Sequence, residues 1–93
     1  MHQGRKPNIN AHYTYNIEKE YNRNTFSKVV LSLLEKIKNI EVSEYIEDPL
    51  DGNQIQGITT TEGKIKVIND FMVGAVWVES EINLDDILQG VRI

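Results

Sequence analysis

The chain contains no cysteine, and it has only two histidines and two prolines among its 93 residues. The absence of cysteine excludes a disulfide scaffold, a thiolate zinc site and a cysteine nucleophile. Long apolar runs are also missing: none approaches the roughly 20 residues of a membrane span, and no apolar signal core follows the segment 1–6. The sequence therefore predicts a soluble, cytoplasmic protein that does not bind a membrane.

Groups for catalysis and for metal binding are scarce. The only imidazoles are His2 and His12, and neither is followed four residues later by a histidine or glutamate that would complete a metal-binding face. The segment Asp48–Gly52 lacks the alternating oxygen ligands of a calcium loop and is typical of a plain turn. No glycine-rich loop that would hold a phosphate precedes a helix. We expect no catalytic residue, no metal ion and no cofactor.

Charge is divided unequally along the chain. Residues 1–40 carry a net charge of +4, whereas residues 41–93 carry −8. The segment 41–51 alone contains five acidic residues and no basic one. Such a concentration of charge steers a basic partner towards one part of the surface.

The length fits one small domain whose stability margin is thin. Residues 1–11 contain Gly4, Pro7 and no periodic apolar pattern, so we expect a flexible N-terminal arm followed by a single domain over residues 12–93. Residues 12–22 alternate with period two, which predicts a strand. Residues 25–40 carry an apolar stripe at helical spacing, with Asn24 or Thr25 as the N-cap.

The remainder of the chain reads as a β-meander followed by a short helix. A turn at Glu62-Gly63 pairs Ile58 with Val67, and a second turn at Asn69-Asp70 leads into a strand over residues 71–79. Residues 83–90 have an N-cap at the start and a glycine at the end, which predicts the short helix.

These elements give an α+β fold in the order β-α-β-β-β-α, an antiparallel meander sheet with one long helix packed on one face. The helix is expected to cover the face that carries Ile58, Ile65, Val67, Val76 and Val78. The opposite face then presents Phe71, Val73 and Trp77. Either the short C-terminal helix covers this face, or the face is an interface with a second copy or another protein.

The leading functional hypothesis is a small, acidic, non-enzymatic module that binds another protein, forms a homodimer and acts as a regulator or inhibitor. A composition rich in isoleucine and asparagine, with only two alanines, is typical of an AT-rich genome and compatible with a phage or other mobile element. The partner is expected to be basic. The residues assigned to partner binding are Phe71, Val73, Trp77, Glu44, Glu47, Asp48 and Asp51.

The alternative hypothesis is a protein that binds single-stranded nucleic acid. Tyrosines with an intervening lysine on one face of the first strand resemble in kind a platform on which bases stack, and the basic arm would contact phosphates. The residues of this hypothesis are Arg5, Lys6, Tyr13, Tyr15, Lys19, Tyr21 and Arg23. The negative net charge disfavours it, and the same tyrosines fit a core face beneath the long helix.

Overall fold

Alternating side chains build a five-stranded antiparallel sheet with one helix against it. The computed structural model describes residues 11–89. Its elements are β1 (Tyr13–Glu18), α1 (Arg23–Lys36), β2 (Glu41–Glu47), β3 (Gln54–Thr59), β4 (Lys64–Asp70) and β5 (Ala75–Ser80). The strands lie in the order β1-β5-β4-β3-β2, so β4 is central and β1 and β2 are the edges. The predicted α+β class, with an antiparallel sheet and one long helix on one face, is confirmed.

The hydrophobic core lies between α1 and one face of the sheet, which we name the helix face. Phe26, Val29 and Leu33 of α1 are buried in one cluster with the side chains of the sheet. The five residues predicted to face the helix, Ile58, Ile65, Val67, Val76 and Val78, all belong to this cluster. Tyr15 and Ile17 of β1 lie there too, so the first strand contributes its alternating residues to the core.

The helix begins two residues earlier than predicted and ends four residues earlier. The predicted N-caps, Asn24 and Thr25, lie inside α1, and Asn22 is the N-cap, because its side chain accepts a hydrogen bond from the backbone N–H of Thr25. At the other end Ile37 is extended and Asn39 has a φ of 55°. This left-handed residue turns the chain out of the helix and into β2.

The segment 41–53, predicted as an acidic turn region, contains a fifth strand. β2 is exposed along nearly its whole length, which is why apolar alternation did not reveal it. Its pairing with β3 is interrupted by a bulge between Val42 and Tyr45. Gly57 of β3 permits this bulge, because a Cβ there would lie 2.6 Å from Ser43 Oγ. An irregular, acidic edge strand of this kind resists pairing with other sheets.

The two predicted hairpins form, but with different turns. Thr60 N donates to Gly63 O, so the first turn centres on residues 61–62, and Ile58 pairs with Ile65 rather than with Val67. A register shift of two residues leaves every side chain on its predicted face, because the side-chain period of a strand is two. In the second hairpin β4 continues to Asp70, and residues 71–74 form the turn.

The predicted C-terminal helix is wrong for the residues that the structure describes. Residues 85–89 form turns, with a single helix-like hydrogen bond from Leu88 N to Leu84 O. Both leucines are fully buried in the core of the helix face, and Leu84 N donates to the hydroxyl of Tyr15 at 2.7 Å. This segment therefore covers the same side of the sheet as α1. The predicted cap Gly90 and the arm over residues 1–10 lie outside the described residues.

The N-cap assignment can be tested by two asparagine substitutions two residues apart. Asn22→Ala removes the oxygen that accepts from Thr25 N, so we expect the free energy of unfolding to fall by about 1 kcal/mol. Asn24→Ala, at an exposed position inside α1, is expected to be neutral or slightly stabilising because alanine favours helix. Urea unfolding monitored by circular dichroism measures both, and a larger loss for Asn24→Ala would contradict the assignment.

Candidate interaction surfaces

A chain of hydrogen bonds ties the start of α1 to the sheet. Asn69 is fully buried on the helix face, and its Oδ1 accepts from the backbone N–H of Asn22 at 2.9 Å. Its amide group donates to Gln54 Oε1 across the β3–β4 pair at 2.9 Å, and Gln54 Nε2 donates to the Tyr45 hydroxyl at 3.0 Å. Tyr45 in turn donates to Glu47 Oε1 at 2.7 Å. We call these five residues the Asn69 network.

Arg23 extends the Asn69 network to the surface. Its guanidinium pairs with Glu47 at 3.2 Å and donates to the Tyr21 hydroxyl at 3.1 Å. Tyr21 donates to the carbonyl of Gly52 at 2.7 Å. The connection between β1 and α1 is thereby bonded to the loop between β2 and β3.

Three groups in this region have shifted pKa values. The hydrogen bond from Tyr45, assisted by the charge of Arg23, lowers the pKa of Glu47. Burial raises the pKa of Tyr45, and the hydrogen bond to Tyr21 raises the pKa of Arg23. All three shifts favour the protonation states of neutral pH, in which Tyr45 is a neutral donor and Glu47 an ionised acceptor. The cluster therefore acts as a fixed structural contact at neutral pH.

The acidic residues assigned to partner binding fall into two groups. Glu47 is engaged by Tyr45 and Arg23, and Asp48 Oδ1 accepts from the backbone N–H groups of Leu50 and Asp51, which shapes the loop. The carboxylates of Glu44 and Asp51 are exposed and have no partner within residues 11–89. Only these two of the four acids are available to another molecule without breaking a contact.

Large apolar side chains are exposed at one end of the sheet. The pairing of Gln54 with Asn69 places the loop 48–53 beside the loop 71–74. The first loop exposes Leu50 (92%), and the second exposes Phe71 (58%), Met72 (78%) and Val73 (67%). We call these four residues the apolar tip. Phe71 and Val73 belong to the predicted partner-binding set, and the structure adds Leu50 and Met72.

The loops of the apolar tip are held together. Phe71 N donates to Asn53 Oδ1 at 2.6 Å, and the rings of Phe71 and Tyr21 meet edge to face at 5.6 Å. Asp70 Oδ1 accepts from Val73 N at 2.9 Å, and Gly74 takes a φ of 73°, which closes the turn. The four exposed side chains are therefore presented from a bonded framework.

The third predicted binding residue, Trp77, lies on a different surface, the sheet face opposite α1, which we name the far face. Register pairs Ile46 with Ile55, Ile55 with Ile68 and Ile68 with Trp77. These four residues form a continuous line across four strands, which we call the apolar row. Ile68 is buried between its neighbours, whereas the other three are partly exposed. No element within residues 11–89 covers the row.

A polar strip runs beside the apolar row. Trp77 Nε1 donates to Glu79 Oε2 at 2.9 Å, and Lys66 Nζ pairs with Glu79 Oε1 at 3.4 Å. The Lys66 side chain is 14% exposed. The Trp77 indole is thus oriented by Glu79 of its own strand, and Lys66 of the neighbouring strand β4 pairs with the same carboxylate.

The residues of the nucleic-acid hypothesis do not share one exposed surface. Tyr15 is buried beneath α1, Tyr21 is bonded to the loop 48–53, and Tyr13 is partly exposed with its ring 6.5 Å from that of Tyr15. Lys19 and Arg23 lie at the end of the sheet that bears the apolar tip, and Arg23 is paired with Glu47. Arg5 and Lys6 lie outside the described residues. Stacking of bases on Tyr15 would require it to leave the core.

Among residues 11–89, no group of three or more histidines, aspartates and glutamates is placed to hold a metal ion. In the same part of the chain, no helix combines the length and the apolar character needed to cross a membrane. The apolar tip and the apolar row are the candidate interaction surfaces of this part of the chain.

Sequence reasoning missed Leu50, Met72, Ile46 and Ile55. Met72 belongs to an apolar run, Phe71-Met72-Val73, which was assigned to a strand, although the following glycine is the signal for a turn. Ile46 was missed because β2 was not recognised as a strand. Ile55 lies in a predicted strand, but without β2 its neighbour Ile46 in the row was not seen. The apolar row exists only once that strand is paired.

The shifted pKa of Glu47 predicts a pH dependence of stability. Because this pKa is lowered in the folded protein, the ionised Glu47 stabilises the fold above its ordinary pKa of 4.5, and this contribution is lost as the pH falls through the lower, folded-state value. Glu47→Gln should therefore destabilise at neutral pH and lose its effect in acid. Urea unfolding at several pH values measures this.

Glu44→Gln is the matched control for this experiment, because Glu44 lies on the same strand and its carboxylate has no partner in the described part of the chain. We expect a smaller effect of this substitution at neutral pH. Equal effects of the two substitutions at every pH would contradict the role given to Glu47.

Comparison with known protein families, with curated protein sequences and with solved structures finds no match to this chain.

Proposed function

We propose that this protein is a non-enzymatic interaction module that binds a basic protein through the apolar tip. The proposed role is that of a regulator or inhibitor of this partner. The observation that carries the proposal is the exposure of Leu50, Phe71, Met72 and Val73 on two adjacent loops. Exposed apolar surface of this kind marks interaction sites in small proteins.

The apolar tip is suited to binding because it is organised in advance. Leu50 follows a carboxylate-capped turn, and Phe71 is fixed by Asn53 and by the ring of Tyr21. Side chains that are presented by bonded loops lose less conformational entropy when they enter a pocket. An aromatic and three aliphatic side chains at the ends of two hairpins fit a concave apolar pocket on the partner.

Charge around the apolar tip favours a basic rim on that pocket. The acidic residues in the strand ends and loops at this end of the sheet are Glu18, Glu20, Glu47, Asp48, Asp51 and Asp70. The positive charges there are Lys19 and Arg23, and Arg23 is paired with Glu47. An excess of negative charge accelerates encounter with a basic protein and opposes adsorption to an anionic lipid surface.

Serine substitutions at the apolar tip test this proposal. A photo-crosslinking amino acid at position 72 of the full chain, produced in its natural host, identifies the bound protein, which is then purified. We expect Leu50→Ser and Met72→Ser each to weaken its binding by roughly tenfold, because each removes an apolar anchor. Isothermal titration calorimetry measures the Kd.

Leu31→Ser is the matched control, because Leu31 is 56% exposed on α1, away from the tip. It should bind as the unsubstituted protein does. Equal affinity of all variants would refute the tip as the binding site. Binding to phosphatidylcholine vesicles that is lost in Met72→Ser would instead assign the tip to a lipid surface.

The acidic residues around the apolar tip, which we call the acidic rim, are expected to raise the rate of association with the partner. Asp51→Asn and Glu20→Gln should slow association with the purified partner at low salt and have little effect at high salt, because screening removes long-range attraction. Glu35→Gln on the exposed surface of α1 is the control. Stopped-flow measurements across ionic strength give the rates, and rates that do not respond to salt would show that the rim does not steer.

A further inference from the structure

The far face carries a second surface that the proposed function does not use. The apolar row crosses four of the five strands without a break, and no element of residues 11–89 covers it. Five strands about 4.8 Å apart, each about six residues long, give this face a footprint of roughly 24 by 20 Å. Sheets with such a face bury it by packing on another sheet about 10 Å away.

We propose that the far face packs against the far face of a second copy of this chain, with the two-fold axis running along the apolar row. Under this symmetry each residue of the row lies opposite itself. Ile68 meets Ile68, and Trp77 meets Trp77 of the second copy. The result is a β-sandwich dimer with α1 on each outer side.

The charges of β4 support this placement. On the far face β4 presents Lys66, Ile68 and Asp70 in succession, with Ile68 in the apolar row. A two-fold axis through Ile68 and along the row reverses the strand direction, so Lys66 of each copy lies opposite Asp70 of the other. Two intermolecular ion pairs then flank the central isoleucine contact.

The other face-to-face symmetry gives the opposite result. A two-fold axis that runs along β4 leaves each residue of this strand opposite itself, so Lys66 would meet Lys66 and Asp70 would meet Asp70. Like charges that face each other across an interface are unfavourable. The sequence Lys-Ile-Asp at alternate positions of the central strand thus selects one of the two arrangements.

The position of β4 makes the charge pairing tolerant of sheet twist. Aligned sheets cross at about −30°, and this rotation displaces residues near its centre least. Because β4 is the central strand, Lys66 and Asp70 lie close to that centre. Lysine has a long side chain that reaches across the space between two sheets, and Lys66 keeps its contact with Glu79 on its own sheet.

Sedimentation velocity on the full chain across a wide concentration range tests the dimer. Trp77 is the only tryptophan, so its fluorescence reports the same event. We expect a concentration-dependent dimer, with a blue shift of emission and protection from acrylamide quenching as it forms. Lys66→Glu and Asp70→Lys each place like charges opposite one another, and each should weaken the dimer by about a hundredfold.

The two charge variants rescue each other if the placement is right. In a mixture of Lys66→Glu with Asp70→Lys, every pair across the interface is again of opposite charge, so a heterodimer should form from two monomeric variants. This rescue excludes misfolding as the cause of dissociation. Lys64→Glu, which makes the same charge change on the same face of β4 but further from the row, should leave the dimer intact.

Three results would overturn the proposal. Dimers of Lys66→Glu and Asp70→Lys as stable as the unsubstituted dimer would exclude this symmetry. A monomer at every concentration with Trp77 protected from acrylamide would show that the chain's own terminal segments cover the row. A monomer with Trp77 open to acrylamide would leave the far face to a different protein. Asp70→Lys also removes the carboxylate that accepts from Val73 N in the apolar tip, so Lys66→Glu is the variant that tests the dimer without altering the tip. The tip has its own variants, Leu50→Ser and Met72→Ser.

Discussion

A hydrogen bond from the backbone N–H of Asn22, the N-cap of α1, to the buried side chain of Asn69 joins the helix of this protein to its sheet. Asn69 has no exposed surface, so its polar atoms must be bonded within the fold, and they are: one side faces the N-cap of α1 and the other faces Gln54. Apolar packing alone would allow α1 to slide on the sheet by a turn, whereas these directional bonds admit one position. Through Tyr45 and Glu47 the same network reaches the edge strand β2.

Residues 11–89 cover the two faces of the sheet unequally. The C-terminal segment, anchored by Leu84 N on the hydroxyl of Tyr15, adds Leu84 and Leu88 to the core beneath α1. Leu84 and Leu88, the buried residues of this segment up to residue 89, lie on the helix face and not on the far face. The far face carries the apolar row and the ion pair between Lys66 and Glu79. The two loops of the apolar tip carry four exposed apolar side chains. Within residues 11–89, exposed apolar surfaces of this kind are the basis of the interactions proposed for this protein.

A surface residue could be predicted from the sequence only where the local hydrophobic pattern marks it. Trp77 was recognisable because β5 is apolar on both faces, and Phe71 and Val73 because they continue that pattern. The local sequence does not show that Glu47 and Asp48 are engaged. Tyr45 and Arg23 contact Glu47. Two backbone N–H groups donate to Asp48. Ile46 gave no signal, because an exposed edge strand has no periodicity to detect.

By itself the sequence determined the local features: the helix stripe, the period-two strands, the turns and the face on which each core residue lies. These features follow from backbone geometry and from the burial of apolar side chains, which act over a few residues. Tertiary structure alone decided the hairpin registers, the fifth strand and the fate of residues 83–89. Two registers that differ by two residues place every side chain on the same face, so the hydrophobic pattern cannot choose between the two registers. The last segment carries the cap signals of a helix, but contacts with Tyr15 and the core, made by residues distant in the chain, hold it in turns instead.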